Sequence, residues 1–168
     1  MSVVFGDPAE LAIEAKFTGW EGKWCLGSFR LFVGGSEYGD FSDTVDLAAG
    51  SRWGRVFLEH SRDRMRPDLD QKSASEVYEE VFGRFMEGRG EGLRFDRDTF
   101  LFDDIGDSSL RDTTCVLVVR RADGHERVIL RDLATARTEE VIVGPWTCDR
   151  AVRAFCSWVD SLDGGGDT

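Results

Sequence analysis

The sequence predicts an α+β fold, with antiparallel β meanders of about six or seven strands and two or three helices packed on one face. Three observations predict it. Apolar and polar residues alternate through the first third of the chain, helical spacing takes over after Thr44, and paired extended runs return around Asp123-Gly124 before a last amphipathic stretch. At 168 residues the chain is long enough to bury a core. Residues 1–163 read as a single α+β domain and residues 164–168, GGGDT, as a flexible tail.

Each element follows from its residues. After Gly6-Asp7-Pro8, the stretch ELAIEAKF puts Leu11, Ile13, Ala15 and Phe17 on one side and Glu10, Glu14 and Lys16 on the other, the pattern of a half-buried strand. A turn over Gly19 to Lys23 leads into KWCLGSFRLFVGG, and Gly34-Gly35 signals a tight hairpin into SEYGD. Trp53, Val56 and Phe57 then stand at helical spacing before a basic stretch ending at Pro67. Ser73 and Glu76 fit a capping box that opens a helix running to about Met86. Gly88, Gly90 and Gly92 end it. TFLFDDI reads as a short strand, TTCVLVVRR and ERVILRD as a hairpin about Asp123-Gly124, and EEVIVG as a third antiparallel strand. Pro145 breaks that strand, and Thr147 is the expected cap of a last helix with Val152, Phe155, Cys156 and Val159 on its apolar face.

Composition narrows the function. A net charge of -11 disfavours nucleic acid and anionic membrane as partners and suits a basic protein, although acidity also serves solubility. The four cysteines, at 25, 115, 148 and 156, form no C-x-x-C pair, so buried free thiols in a reducing compartment are expected. MSVVFGDPAE has neither a basic start nor a long apolar run, and no stretch has the length of a membrane span; a cytoplasmic protein is expected.

No constellation for catalysis stands out. The glycine-rich GSFRLFVGGSEYGD lacks the lysine and Ser/Thr of a phosphate loop, and a strand rather than a helix follows, which makes it a hairpin. Asp103, Asp104 and Asp107 form D-D-x-x-D, which would hold a divalent cation if its oxygens converged and is otherwise a solvated turn. His60 and His125 have no nearby triad or metal pattern, and no cofactor is expected. Of the five tryptophans, most are expected in or beside the core, with Trp20 exposed. The charge is blocky. Glu37, Asp40, Asp43 and Asp46 have no base between them, and Asp96 to Asp112 holds six aspartates, whereas Arg52 to Arg66 and Arg120 to Arg137 are basic. Acidic blocks that met on the surface would steer a basic partner.

FGDPAELAIEAKF, a tryptophan-containing turn and GSFRLFVGGSEYGD together resemble the N-terminal half of the immunity protein 42 family of bacterial polymorphic toxin systems. VVRRADGHERVILRDL, EEVIVG and the terminal helix are similar to its C-terminal half, and the likeness is weakest from Ser51 to Arg94. Gly6, Asp7, Trp24, Gly27, Phe29, Gly39 and Asp40 match the recurrent pattern, in structural rather than contacting roles. The resemblance implies a non-enzymatic cytoplasmic protein, encoded beside a toxin, that binds and neutralises it by covering its active or substrate-binding face. The expected contact surface is Tyr38, Asp40, Phe41, Asp43 and Asp46 with Asp103, Asp104 and Asp107, acidic groups meeting a basic toxin domain around aromatic anchors. Two other readings compete. One is a small metal- or ligand-binding domain or enzyme using the Asp103–Asp107 cluster; the other is an interaction scaffold or self-associating protein with no toxin. Oligomeric state is open.

Overall fold

The glycine pair at 34–35 closes its hairpin as expected. In the computed structural model, which describes residues 1–83, 102 and 108–162, Val33 pairs with Ser36, and Gly34 and Gly35 turn the chain at φ 58° and 82°. A two-residue loop with both φ positive matches the twist of the flanking strands, and glycine reaches it without strain.

Around this turn lies a five-stranded antiparallel sheet. β1 (Val3–Asp7), β2 (Leu11–Glu21), β3 (Trp24–Val33) and β4 (Ser36–Tyr38) follow in order, and β5 (Val45–Asp46) pairs with Leu26 and Gly27 on the outer side of β3. The sequence reading takes Gly19–Lys23 as a turn; instead β2 carries on to Glu21 through an irregularity between Phe17 and Gly19. The three-stranded second sheet is β6 (Thr114–Arg120), β7 (Glu126–Asp132) and β8 (Thr138–Val143), with the expected hairpin at Asp123-Gly124. The fold is α+β, and the described residues contain eight strands.

Helices α1 (Leu47–Glu59) and α4 (Thr147–Ser161) join one face of each sheet in the main core. Here Phe29, Leu31 and Ile13 of the first sheet share a cluster with Val116, Val118, Val128 and Leu130 of the second. α1 turns Leu47, Gly50, Ser51, Gly54 and Phe57 inward. Trp53 is therefore 40% exposed rather than part of the apolar stripe. The reason is steric. A Cβ on Gly54 would lie 2.8 Å from Cys156 Sγ and 3.0 Å from Val152 Cγ1, so the small residues are the face on which α4 packs.

The other face of the second sheet is also covered. Cys115, Leu117, Val119 and Ile129 pack against Leu69, Val77 and Tyr78. The last two belong to α2 (Ala74–Tyr78), which opens with the expected capping box: Glu76 N donates to Ser73 Oγ and Ser73 N to Glu76 Oε2 at 2.8 Å. A π turn over Glu79–Gly83 follows. Burial on both faces explains why TCVLVV is a continuous apolar run. Arg127 fastens this layer, donating to Leu69 O at 2.6 Å and Lys72 O at 2.8 Å while pairing with Glu140. α3 (Ser108–Thr113) leads into β6. Of TFLFDDI only Phe102 is described; it is fully buried, stacks edge-on to Phe57 and donates its amide to Val116 O at 2.8 Å.

At the start of α4 the expected cap is displaced by one residue. Thr147 is the first helical residue, and the cap position falls to Trp146, at φ 61° and without a side-chain cap bond. A buried ionic group takes the usual role of the cap. Glu126, fully buried, accepts the Cys148 amide at 2.8 Å and pairs with Arg120 at 2.7 Å. Asp149 pairs with both Arg120 and Arg64. The Trp146 ring lies 3.6 Å from the Arg120 guanidinium, with 46% of the residue exposed. Trp20 is exposed as expected, but Trp24 and Trp53 are too, so the core takes its aromatic volume mostly from phenylalanine. The four cysteines are free and buried. Among the described residues, no helix is long and apolar enough to cross a membrane.

Candidate functional site

Part of the first acidic block, Glu37 and Asp40, lines a hollow between β3, the segment after β4 and α3, together with Arg30, Phe41, Ser42, Ser109 and Thr113. Arg30, on β3, organises its floor. Its guanidinium pairs with Glu14 and Glu37, each at 2.6 Å, and lies 5.0 Å from the Phe32 ring and 4.9 Å from the Phe41 ring. Burial raises the Glu14 pKa, but bonds from Ser2 and Arg30 outweigh it and hold the carboxyl below its ordinary 4.5.

Phe41 is thereby drawn over Arg30, and the loop carrying it is braced from within. Asp40 Oδ1 accepts the Ser42 amide at 2.9 Å and the Ser42 hydroxyl at 2.7 Å, and the Asp43 amide returns to Asp40 O at 3.0 Å. The Ser42 bonds hold the exposed Asp40 carboxyl below its ordinary 3.8. Asp40 N also donates to Ser109 Oγ at 2.7 Å, which ties the loop to α3. An aspartate at a turn closes such a loop locally, leaving its outer oxygen free for a partner.

Tyr38 separates this loop from a hollow of about 150 Å³ whose walls include Leu130 and Thr114 and whose rim carries Asp132, Glu139 and Arg137. Burial, with the Glu139 carboxylate adding to it, pushes the Tyr38 phenol above its ordinary 10.0 against a hydrogen bond with Ser36. Arg137 is 77% exposed in its side chain and pairs with Glu139 at 2.8 Å. The rim is thus acidic where the two sheets approach each other, over a half-buried aromatic ring.

The structure places Tyr38 at the end of β4 and Asp40, Phe41 and Asp43 in the loop that follows it, and separates Asp46 from them in role. Asp46 caps α1: its Oδ1 accepts the Ala48 amide at 3.1 Å and the Cys25 amide at 3.2 Å, and Arg52 lies 3.5 Å from Oδ2. Asp103, Asp104 and Asp107 lie outside the described residues. Among the described residues, no three His, Cys, Asp or Glu side chains are grouped to hold a metal ion.

Sequence reasoning missed Asp132, Glu139 and Ser109. A signal existed for Glu139. In EEVIVG it shares the inward register with Val141 and Val143, so an acid stands where alternation calls for an apolar residue. The basic runs misled in the opposite sense. Arg64, Arg120 and Arg127 are almost wholly buried and paired, and Arg120 follows Val116 and Val118 in the same inward register.

Comparison with known proteins agrees with this architecture. A family model described as Immunity protein 42 matches residues 1–157, including the stretch from Ser51 to Arg94 where the sequence likeness is weakest. Among solved structures, CdiI from Burkholderia dolosa AUO158 is similar with a TM-score of 0.73 at 18% identity, over 93% of this chain and 99% of that one, which shows a shared fold. No curated protein matches by sequence.

Proposed function

Because the chain belongs to the immunity protein 42 family and is an immunity protein that neutralises a cognate toxin, we propose that it does so as a non-enzymatic blocker, seating a basic face of the toxin on the Tyr38–Asp43 loop and the adjoining cleft. The braced loop carries this reading. Bonds inside it and to Ser109 hold Tyr38, Asp40 and Phe41 in one arrangement before any partner arrives. Association then costs less ordering entropy than a mobile loop would demand. Acidic rim groups steer the approach, and the half-buried aromatics supply the desolvated centre. Such a blocker occludes the toxin's active or substrate-binding face in the cytoplasm and needs no cofactor, nucleic acid or membrane. Asp103, Asp104 and Asp107 are further proposed contacts for the basic toxin, on their charge alone.

The test is binding kinetics against the toxin domain of the neighbouring gene, with rescue of growth on co-expression. Charge reversal of Asp40 and Asp43 to lysine is expected to slow association by about tenfold at low salt and to flatten its salt dependence. An unchanged association rate would remove this loop from the interface. Asp46 is unsuitable for the same test, because reversing it also uncaps α1.

A further inference from the structure

The two outer edges of the second sheet are treated differently. Arg121 N donates to His125 O at 2.9 Å and Asp132 N to Arg137 O at 2.9 Å. Bonded and non-bonded pairs alternate along an antiparallel ladder, so these end bonds set the direction of every backbone group between them. On β6 the outward groups are those of Val116, Val118 and Arg120, and on β8 those of Thr138, Glu140 and Ile142. The β6 edge is covered at Val116 and Arg120. Phe102 N donates to Val116 O at 2.8 Å, Arg120 N to Arg64 O at 2.7 Å, and Arg66 N to Arg120 O at 2.9 Å. Thr138, Glu140 and Ile142 have no outward backbone partner among the described residues.

We propose that β8 is a docking edge on which an extended, lysine- or arginine-bearing segment of the cognate toxin adds as a further strand of the second sheet. The inference rests on the immunity reading and names how the partner is held. Main-chain bonds to an open edge supply affinity, and side chains beside it supply selection. Here the selection is for positive charge. Glu139 is 48% exposed in its side chain and Glu140 27%, and each already attracts an arginine of this chain. Ile142, 44% exposed, offers an apolar contact at the same edge. Glu139 also forms part of the rim of the Tyr38 hollow, so the edge continues the cleft.

Charge also argues against a second copy as occupant. Two β8 strands paired about Glu140 would set glutamates against glutamates, which destabilises a cross-strand pair. β1, the outer strand of the first sheet, is a poorer edge, because Gly6 takes it out of extended conformation at φ 107°.

The test is amide hydrogen exchange on the full chain, alone and with the inactivated toxin domain of the neighbouring gene. Thr138, Glu140 and Ile142 amides are expected to exchange freely in the unbound protein and to slow by more than about tenfold in the complex. Ile142→Pro removes one outward donor without touching the β7 ladder and should weaken binding by about tenfold, whereas Ile142→Ala keeps that donor and most of the affinity. A complex whose edge amides stay unprotected, or an Ile142→Pro chain that folds and binds like the parent, overturns the docked strand and leaves the immunity reading standing. Protection of these amides by self-association without toxin assigns the edge to a second copy and overturns the proposal. Absence of any complex overturns the immunity reading toward that toxin, and the docked strand with it.

Discussion

Two aspartates six positions apart in one acidic block do different work. Asp46 spends an oxygen on the amides of Ala48 and Cys25, whereas Asp40 closes its own turn and faces solvent. Asp46→Ala is therefore expected to cost about 1 kcal/mol of stability, as loss of a helix cap does. Asp40→Asn should change stability by less than about 0.5 kcal/mol. Urea unfolding of both variants checks the contrast. Glu14 gives a pH test. Its carboxyl is more acidic in the folded chain than its ordinary 4.5, so the ionised form stabilises the fold above that pH and the contribution fades as pH falls through the lower folded value. Glu14→Gln should flatten the decline of stability with acidity below about pH 4.5, as measured by urea midpoints across that range.

Helices α1 and α4 show where spacing alone falls short. The sequence places an amphipathic helix after Thr44, and one forms, but large apolar residues suggest a different buried face from the one observed. Gly50, Ser51 and Gly54 face α4 because close approach needs small residues, and Trp53 is left outside. Gly54→Val is expected to destabilise by about 1–3 kcal/mol through overpacking against Cys156 and Val152. Calorimetry would show this as a lowered Tm. Strands were more legible. The hairpins at Gly34-Gly35 and Asp123-Gly124 are both present, since their turn chemistry is local. β5 spans only Val45–Asp46, too short to establish a period of its own.

Across the whole molecule, the main core joins the two sheets through α1 and α4, and the group Arg64, Arg120, Glu126 and Asp149 lies buried where β6, β7 and α4 meet. Two positive and two negative groups balance there, and the Glu126 carboxylate meets the amino end of α4, where the helix dipole favours negative charge. Removing one partner leaves a buried charge without compensation. Asp149→Asn is expected to cost about 3–5 kcal/mol and roughly 10 °C of Tm, measurable by thermal unfolding. In the linear chain these arginines belong to basic runs. In the fold, Arg64 and Arg120 are buried against Glu126 and Asp149, so these two arginines offer no positive charge to a partner and the balanced group leaves the net charge of the rest unchanged.

By itself the sequence determined the α+β class, the alternating strands, the two hairpin turns and the acidic character that suits a basic partner, because each depends on neighbours a few residues apart. Only the tertiary structure decided which acids are free to meet that partner. Asp40 and Asp46 are alike in sequence and separate only when Ala48, Cys25 and Ser109 come within bonding distance. Likewise, Glu139 lines the same hollow as Tyr38 only because the fold brings the end of β4 and β8 to one site. Charge and period are local properties; burial and pairing depend on residues that folding alone brings together.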